Sequence, residues 1–293
     1  MDNVIECIDL THYYGERCIY ENLNFAVQKG KITGLLGKNG TGKTTTINIL
    51  NGYLKPRSGH CHIFGEPSHC LSPEAKQQIG LLLEGHVQYP FFDVQQIERF
   101  YARFYPGWKK EYYFELMRKL KIADGQKISK MSCGQWSQVA LGLILAQDPA
   151  LLILDDFSMG LDPGYRKLFV DYLREYAKAE HKTVFITSHI IQDLEKLVDD
   201  CLVLDYGSVL LHKPTRELLD KFRRYRFDGR GNGVANNTLF YGTETIKEKT
   251  ETYSFLAEDE ALQIIKQDCP DCTGISADKL TLEEIFIGLT GKY

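Results

Sequence analysis

Lys31-Ile32-Thr33-Gly34-Leu35-Leu36 reads as a compact apolar strand, and it runs directly into Gly37-Lys38-Asn39-Gly40-Thr41-Gly42-Lys43-Thr44. A helix is expected from about Lys43 to Leu50, stopped by Asn51-Gly52 with Pro56 soon after. A buried strand, a glycine-rich turn and a helix start in that order satisfy the G-x-x-x-x-G-K-[ST] pattern in the context that gives it meaning. Glycines let the main chain wrap closely round an anion, so that N–H groups and the helix N-terminus point at phosphate. Lys43 is then expected to bridge β- and γ-phosphates, with the Thr44 hydroxyl on Mg2+ and Thr45 completing the binding set. Asp155 closes a second buried strand, where a carboxylate reaches the hydration shell of a metal held by Thr44; capping the next helix is its plainer alternative.

The rest of the chain supports an α/β reading. Val4 to Leu10 and Leu23 to Val27 alternate as half-buried antiparallel strands. Residues 90–146 look predominantly helical, with Ile97, Phe100, Tyr101, Phe104 and Tyr105 at three- and four-residue spacing before Pro106-Gly107. Leu151 to Leu154 and Thr183 to Ile186 are apolar throughout, with a crossover helix expected between them from Tyr165 to Ala179. Fully apolar strands alternating with helices imply a parallel sheet covered on both faces. After about residue 220 the character changes. Asp228 to Asn237 reads as a loop or hairpin turn, and Thr281-Leu282-Glu283-Glu284 has the spacing of a helix-opening capping box. The expected division is a large domain over 1–220, with a helical part at about 85–146, and a small α+β appendage over 221–293.

Composition narrows the function classes. With 43% hydrophobic and 25% charged residues, the chain is not disordered throughout. A formal charge of −4 gives no overall reason to expect a nucleic-acid partner. The first residues lack a basic, apolar leader, and the most apolar window, Val139 to Ala146, is far shorter than a membrane span of about 20 residues. A soluble, cytoplasmic chain is expected, whose membrane role comes through a partner. The eight cysteines are expected to be reduced thiols.

Met131-Ser132-Cys133-Gly134-Gln135 resembles the L-S-G-G-Q signature of ATP-binding cassette (ABC) ATPases, and it lies between the glycine loop and Asp155, as it does there. Further motifs of that family fall in order around it. Tyr14 looks like the aromatic that stacks on adenine, and Glu84 stands at the Q-loop position. Gly160-Leu161-Asp162-Pro163 resembles the D-loop, and Thr187-Ser188-His189 ends in the switch histidine. The resemblance covers roughly residues 1–215. It implies a RecA-like P-loop NTPase core, an N-terminal antiparallel β subdomain and an α-helical signature subdomain, with ATP and Mg2+ as ligands. It also implies that ATP lies between the P-loop of one subunit and Ser132, Cys133, Gly134 and Gln135 of a second ABC subunit, the same chain or a different one. Separately encoded transmembrane subunits would take up the motion, with the ATPase peripheral on the inner face of the membrane. The subtype most resembled is the ATPase of bacterial multidrug or bacteriocin-type exporters.

This chain departs from the family pattern at four places. Asp156 stands where a glutamate normally polarises the attacking water, Cys133 replaces the first signature glycine, Glu84 replaces glutamine, and Phe157 replaces a proline. Aspartate is one methylene shorter, and a displacement of about 1 Å can cost on the order of 100-fold in rate, so slow hydrolysis by Asp156, His189 and Glu84 is expected. A subunit that binds ATP without hydrolysing it, or a cassette that remodels nucleic acid or ribosomes, is the alternative. Three other features have two readings each. Tyr89-Pro90-Phe91-Phe92 is either helical core or a seat for the membrane subunit. Lys221 to Arg226 is either a solvated charged face or a lipid or partner contact. Cys269-Pro270-Asp271-Cys272 is a lone C-x-x-C, either a coincidental placement or part of a metal site completed by His60-Cys61-His62 and His69-Cys70.

Overall fold

A computed structural model describes residues 2–83, 89–156 and 161–291. The chain divides into two compact units, Met1–Val209 and Leu210–Tyr293.

The first unit opens with β1 (Asn3–Tyr14) and β2 (Arg17–Gln28), an antiparallel hairpin closed at Gly15-Glu16. Next come β3 (Ile32–Gly37), α1 (Lys43–Leu50), β4 (Ser58–Ile63), β5 (Glu66–Pro67), α2 (Pro73–Gln77) and β6 (Ile79–Leu82). A helical stretch follows, with α3 (Val94–Tyr101), α4 (Lys110–Lys119) and α5 (Cys133–Ala146). The chain then alternates through β7 (Leu151–Leu154), α6 (Pro163–Ala179), β8 (Thr183–Thr187), α7 (Ile191–Leu197) and β9 (Asp200–Asp205). It leaves the unit along β10 (Ser208–Pro214).

Two sheets carry this unit. One is antiparallel, in the order β2-β1-β4-β5. The other runs β10-β9-β3-β8-β7-β6, and its pairings from β9 to β6 are all parallel. Every residue of β7 and β8 is buried, which is why these strands show no alternation in the sequence. A single hydrophobic cluster joins the two sheets: Phe25 of β2 stacks on Phe185 of β8 at 5.9 Å, among Leu35, Ile47, Ile153 and Leu202. Burial of each such side chain contributes about 1.5–3 kcal/mol. Strand order matters most for function. With β8 between β3 and β7, the carboxyl ends of all three lie side by side, at the edge where open α/β sheets bind ligands.

Local signals set the helix starts. Asp93 with Gln96, and Ser132 with Gln135, form reciprocal capping boxes at the starts of α3 and α5. Gly142 of α5 leaves room for the fully buried Tyr113 ring of α4, whose hydroxyl donates to the Val94 carbonyl at 2.9 Å. Among the described residues, no helix is long and apolar enough to cross a membrane.

The second unit contains α8 (Thr215–Lys221), β11 (Arg223–Asp228), α9 (Asn232–Ala235), β12 (Tyr241–Ile246), β13 (Lys249–Ser254), α10 (Glu258–Asp268), β14 (Thr273–Lys279) and α11 (Leu282–Thr290). Its sheet is antiparallel, in the order β12-β13-β11-β14, over a core of Tyr225, Phe227, Val234, Phe240 and Ile265. The expected loop over 228–237 contains one helical turn, α9, because Val234 is drawn into that core. Thr281 caps α11 with Glu284 as its spacing predicts. The basic run is largely satisfied within the unit. Arg224 faces Glu251, Asp278 and Glu284, Arg226 pairs with Asp278 at 2.7 Å, and Lys221 reaches Glu217. Among the described residues no three His, Cys, Asp or Glu side chains gather as metal ligands. Cys269 and Cys272 instead close the turn after α10, where the Cys272 N–H donates to the Cys269 carbonyl.

Asp148, after α5, binds Lys182 at 2.6 Å and Lys109 at 2.9 Å. Burial alone raises its pKa, but hydrogen bonds from the two lysines outweigh that and hold it below the ordinary carboxylate value. Its contribution to stability is therefore full above the unfolded pKa of about 4 and fades as pH falls through the lower folded value. Asp148→Asn tolerates the same left-handed backbone (φ 54°), removes the charge and leaves one acceptor oxygen where the carboxylate offers two. Chemical denaturation at pH 7 should show a loss of about 1–3 kcal/mol, and the gap from wild type should close on acidification below about pH 4.

Candidate functional site

The phosphate loop leaves β3 at Gly37 and re-enters helix at Lys43. Its two left-handed glycines, Gly40 (φ 83°) and Gly42 (φ 101°), turn the main chain about a hollow. Gly42 is also a close-approach residue: a Cβ there would stand 2.7 Å from Ile19 and 2.8 Å from the Tyr20 ring. The α1 helix starts without a side-chain cap, which leaves its first N–H groups for an anion. Behind the loop, Thr41 is buried and its hydroxyl donates to the Lys38 carbonyl at 2.9 Å. The Lys43 ammonium donates to the carbonyls of Gly37 (2.7 Å) and Lys38 (3.1 Å). Burial pulls its pKa down, against the opposing pull of Asp155 and Asp156.

The carboxylates come from the end of β7, one strand removed. Asp155 is buried; its Oδ1 accepts from the Thr187 hydroxyl at 2.7 Å, and the Thr44 hydroxyl also donates to it. Burial raises its pKa, the Thr187 bond opposes that, and the neighbouring Asp156 adds to the rise. Thr44 and Asp155 thus bring hard oxygen donors together, the ligand type that suits Mg2+. Asp156 adopts a left-handed backbone (φ 45°), which aspartate tolerates better than most residues. Its N–H donates to Thr187 Oγ1 at 2.8 Å, its Oδ1 accepts from the His189 N–H at 3.3 Å, and its Oδ2 lies 3.0 Å from His189 Nε2. One hydroxyl, Thr187, therefore fixes both acidic residues.

A single cavity of about 250 Å³ gathers most of these groups. Asn39, Gly40, Gly42, Lys43, Thr44 and Thr45 form its floor, Asp155, Asp156 and His189 form one wall, and Tyr14 stands at another side. Gly37, Lys38 and Thr41 support the loop from behind and do not line it. Glu84 lies outside the described residues. The sequence reading missed four lining residues: Arg17 and Ile19 of β2, and Thr187 and Ser188 at the end of β8. The sequence does not show which side of β2 meets the loop, and a bulge at Ile19 breaks the strand's alternation there.

None of Ser132, Cys133, Gly134 and Gln135 lines the cavity. Ser132 and Cys133 are exposed at the start of α5, whereas Gly134 is buried, its missing Cβ leaving space for the Tyr165 ring 2.7 Å away. Ser132 Oγ accepts from the Gln135 N–H, and Gln135 Oε1 accepts from the Ser132 N–H. The hydroxyl proton of Ser132 stays available to donate to an external anion.

A profile of the family described as ABC transporter matches residues 20–158. The bacitracin transport ATP-binding protein BcrA of Bacillus licheniformis is 34% identical over 227 residues, which cover 77% of this chain and 74% of that protein. A Nod factor export ATP-binding protein I from Cupriavidus metallidurans is 31% identical, covering 75% and 74%. Among solved structures, an ATP binding subunit of an ABC transporter matches with TM-score 0.65 and 25% identity, over 74% of this chain and 92% of that one. A bacterial ABC transporter cassette solved as a dimer matches in fold, with TM-score 0.63 and 22% identity, over 72% and 99%.

Thr187→Val keeps the side-chain shape and deletes the shared hydroxyl. Unfolding free energy should fall by about 1–3 kcal/mol as a buried N–H and a carboxylate lose their partner, and ATP turnover should fall with it. Thr187→Ser should restore both, as measured by denaturation and phosphate release.

Proposed function

The chain belongs to the family of ABC transporter ATP-binding subunits, and on that footing we propose that it is a peripheral export motor whose ATP site is completed by a second cassette. ATP with Mg2+ is the ligand of this family. The observation that carries the proposal is the separation of the two phosphate-binding surfaces. Lys43, Thr44 and the loop amides line a cavity that contains no signature residue, while Ser132 and Cys133 face solvent on the same chain. The Ser132 hydroxyl, on the positive end of the 14-residue helix α5, would grip the triphosphate bound to another protomer.

Within each site, Tyr14 would stack on adenine, the loop from Gly37 to Thr45 would hold the phosphates, and Lys43 would bridge β and γ. Thr44 and Asp155, with Glu84, would hold Mg2+, which would supply charge neutralisation at the phosphates. Asp156 would accept the proton of the attacking water, and His189, in contact with the same carboxylate, would orient that water and the γ-phosphate. Two features support slow hydrolysis. The carboxylate is one methylene shorter than glutamate, and it is engaged by both the main chain and the ring of His189. Cys133, exposed at the signature, would add bulk against the opposing nucleotide, consistent with a weakened site completed by a different cassette.

Exposed Tyr89, Phe91 and Phe104 make ring contacts with Phe92 or Phe100 and give a membrane subunit an aromatic surface to seat on. Relatives named for bacitracin transport and Nod factor export support a transport role, and the second an export role.

Phosphate release and light scattering test both parts. Asp156→Asn should lower turnover by about 100-fold and stabilise an ATP-dependent dimer, Asp156→Glu should raise turnover, and Ser132→Arg should abolish the dimer while leaving monomer ATP binding intact. Turnover unchanged in Asp156→Asn would remove that residue from the chemistry.

A further inference from the structure

We propose that Arg17 is a phosphate-binding residue of the ATP site, delivered from the β1–β2 hairpin over the loop at Gly40. The inference rests on the cavity being the ATP site, and it adds a residue outside the recognised motifs.

Three observations place it there. First, Arg17 lines the same cavity as Lys43 and Thr44. Its Nη2 lies 2.7 Å from where a Cβ on Gly40 would stand, so the bare glycine makes room for the guanidinium as well as for the turn. Second, the strand that carries it is pinned in register with the loop. Arg17 lies over Gly40, and Ile19 with Tyr20 lies over Gly42, so the start of β2 follows the loop. Across the hairpin, Arg17 is paired directly with Tyr14, so the two side chains project from the same face. A ligand reaching from the Tyr14 ring to Lys43 therefore passes the guanidinium. Third, the Arg17 side chain makes no ion pair or hydrogen bond with any described residue. By contrast, Lys43 is bound to two carbonyls and looks onto two carboxylates.

The charge balance gives the guanidinium a purpose. Before Mg2+ is counted, the formal charges of Lys43, Asp155 and Asp156 in the cavity sum to one negative charge. Arg17 brings that balance to neutral. Its planar fork of N–H donors suits a phosphate oxygen pair, and arginine cannot lose its charge at any working pH.

Calorimetric titration of the full chain with adenosine, AMP, ADP and ATP in the presence of Mg2+ tests the proposal. Arg17→Ala should weaken ATP and ADP about tenfold or more and leave adenosine unchanged, Arg17→Glu should weaken them further, and Arg17→Lys should recover part of the loss. The slope of ATP affinity against salt should also become shallower in Arg17→Ala, as expected when one phosphate contact is lost. Equal weakening of adenosine would assign Arg17 to the base or ribose and overturn the phosphate role. Unchanged ATP binding in both Arg17→Ala and Arg17→Glu would overturn it outright. Lys43→Ala serves as the control: if wild type binds no ATP, or Lys43→Ala binds it as well as wild type, it is the cavity assignment that fails and not the role of Arg17.

Discussion

Gly42 is where the architecture and the site depend on each other most closely. Its φ of 101° aims the loop amides and α1 at one point, and its missing side chain lets Ile19 and Tyr20 press against the loop from outside. Any larger residue would both strain the backbone and push the antiparallel sheet away. The loop is thus clamped between the strand it leaves and the strand that lies across it. A rigid hollow lined with N–H groups binds an anion with little reorganisation, which is how a short segment achieves tight phosphate recognition.

From that clamp the rest of the site follows by strand order. Parallel pairing puts the ends of β3, β8 and β7 next to one another, so the loop, His189 and the Asp155-Asp156 pair converge although they are far apart in the chain. Thr187 is the joint between them. Its hydroxyl donates to one carboxylate and accepts the main-chain N–H of the next residue. Burial makes the ionised Asp155 and Lys43 costly without a ligand.

Asp156 shows how a departure from a family pattern reads in three dimensions. Glutamate would have the reach. Aspartate instead suits the left-handed backbone at this point and draws its carboxylate back onto His189. The α5 start makes a complementary point about assembly. Ser132, Cys133 and the capped helix N-terminus are well formed and exposed, yet far from complete as a ligand site on one chain. Under the proposed function, a surface of that kind would act by meeting another.

By itself the sequence determined the features whose causes are local. These are the strand–glycine loop–helix junction at Gly37 to Thr44, the capping boxes at Ser132 and Thr281, the apolar runs of β7 and β8, and the ordered motifs that identify the family. Each depends on spacing within a few residues, and spacing is printed in the chain. Only the tertiary structure decided which distant groups share the cavity: that Arg17 and Ile19 lie over Gly40 and Gly42, that Thr187 joins both aspartates, that Gly134 gives way to Tyr165, and that Val234 pulls a helical turn out of an expected loop. The reason is physical. Alternation tells which residues share a face of a strand, but the face's neighbour is chosen by strand order and by the packing of the two sheets, and those are settled by the whole core at once.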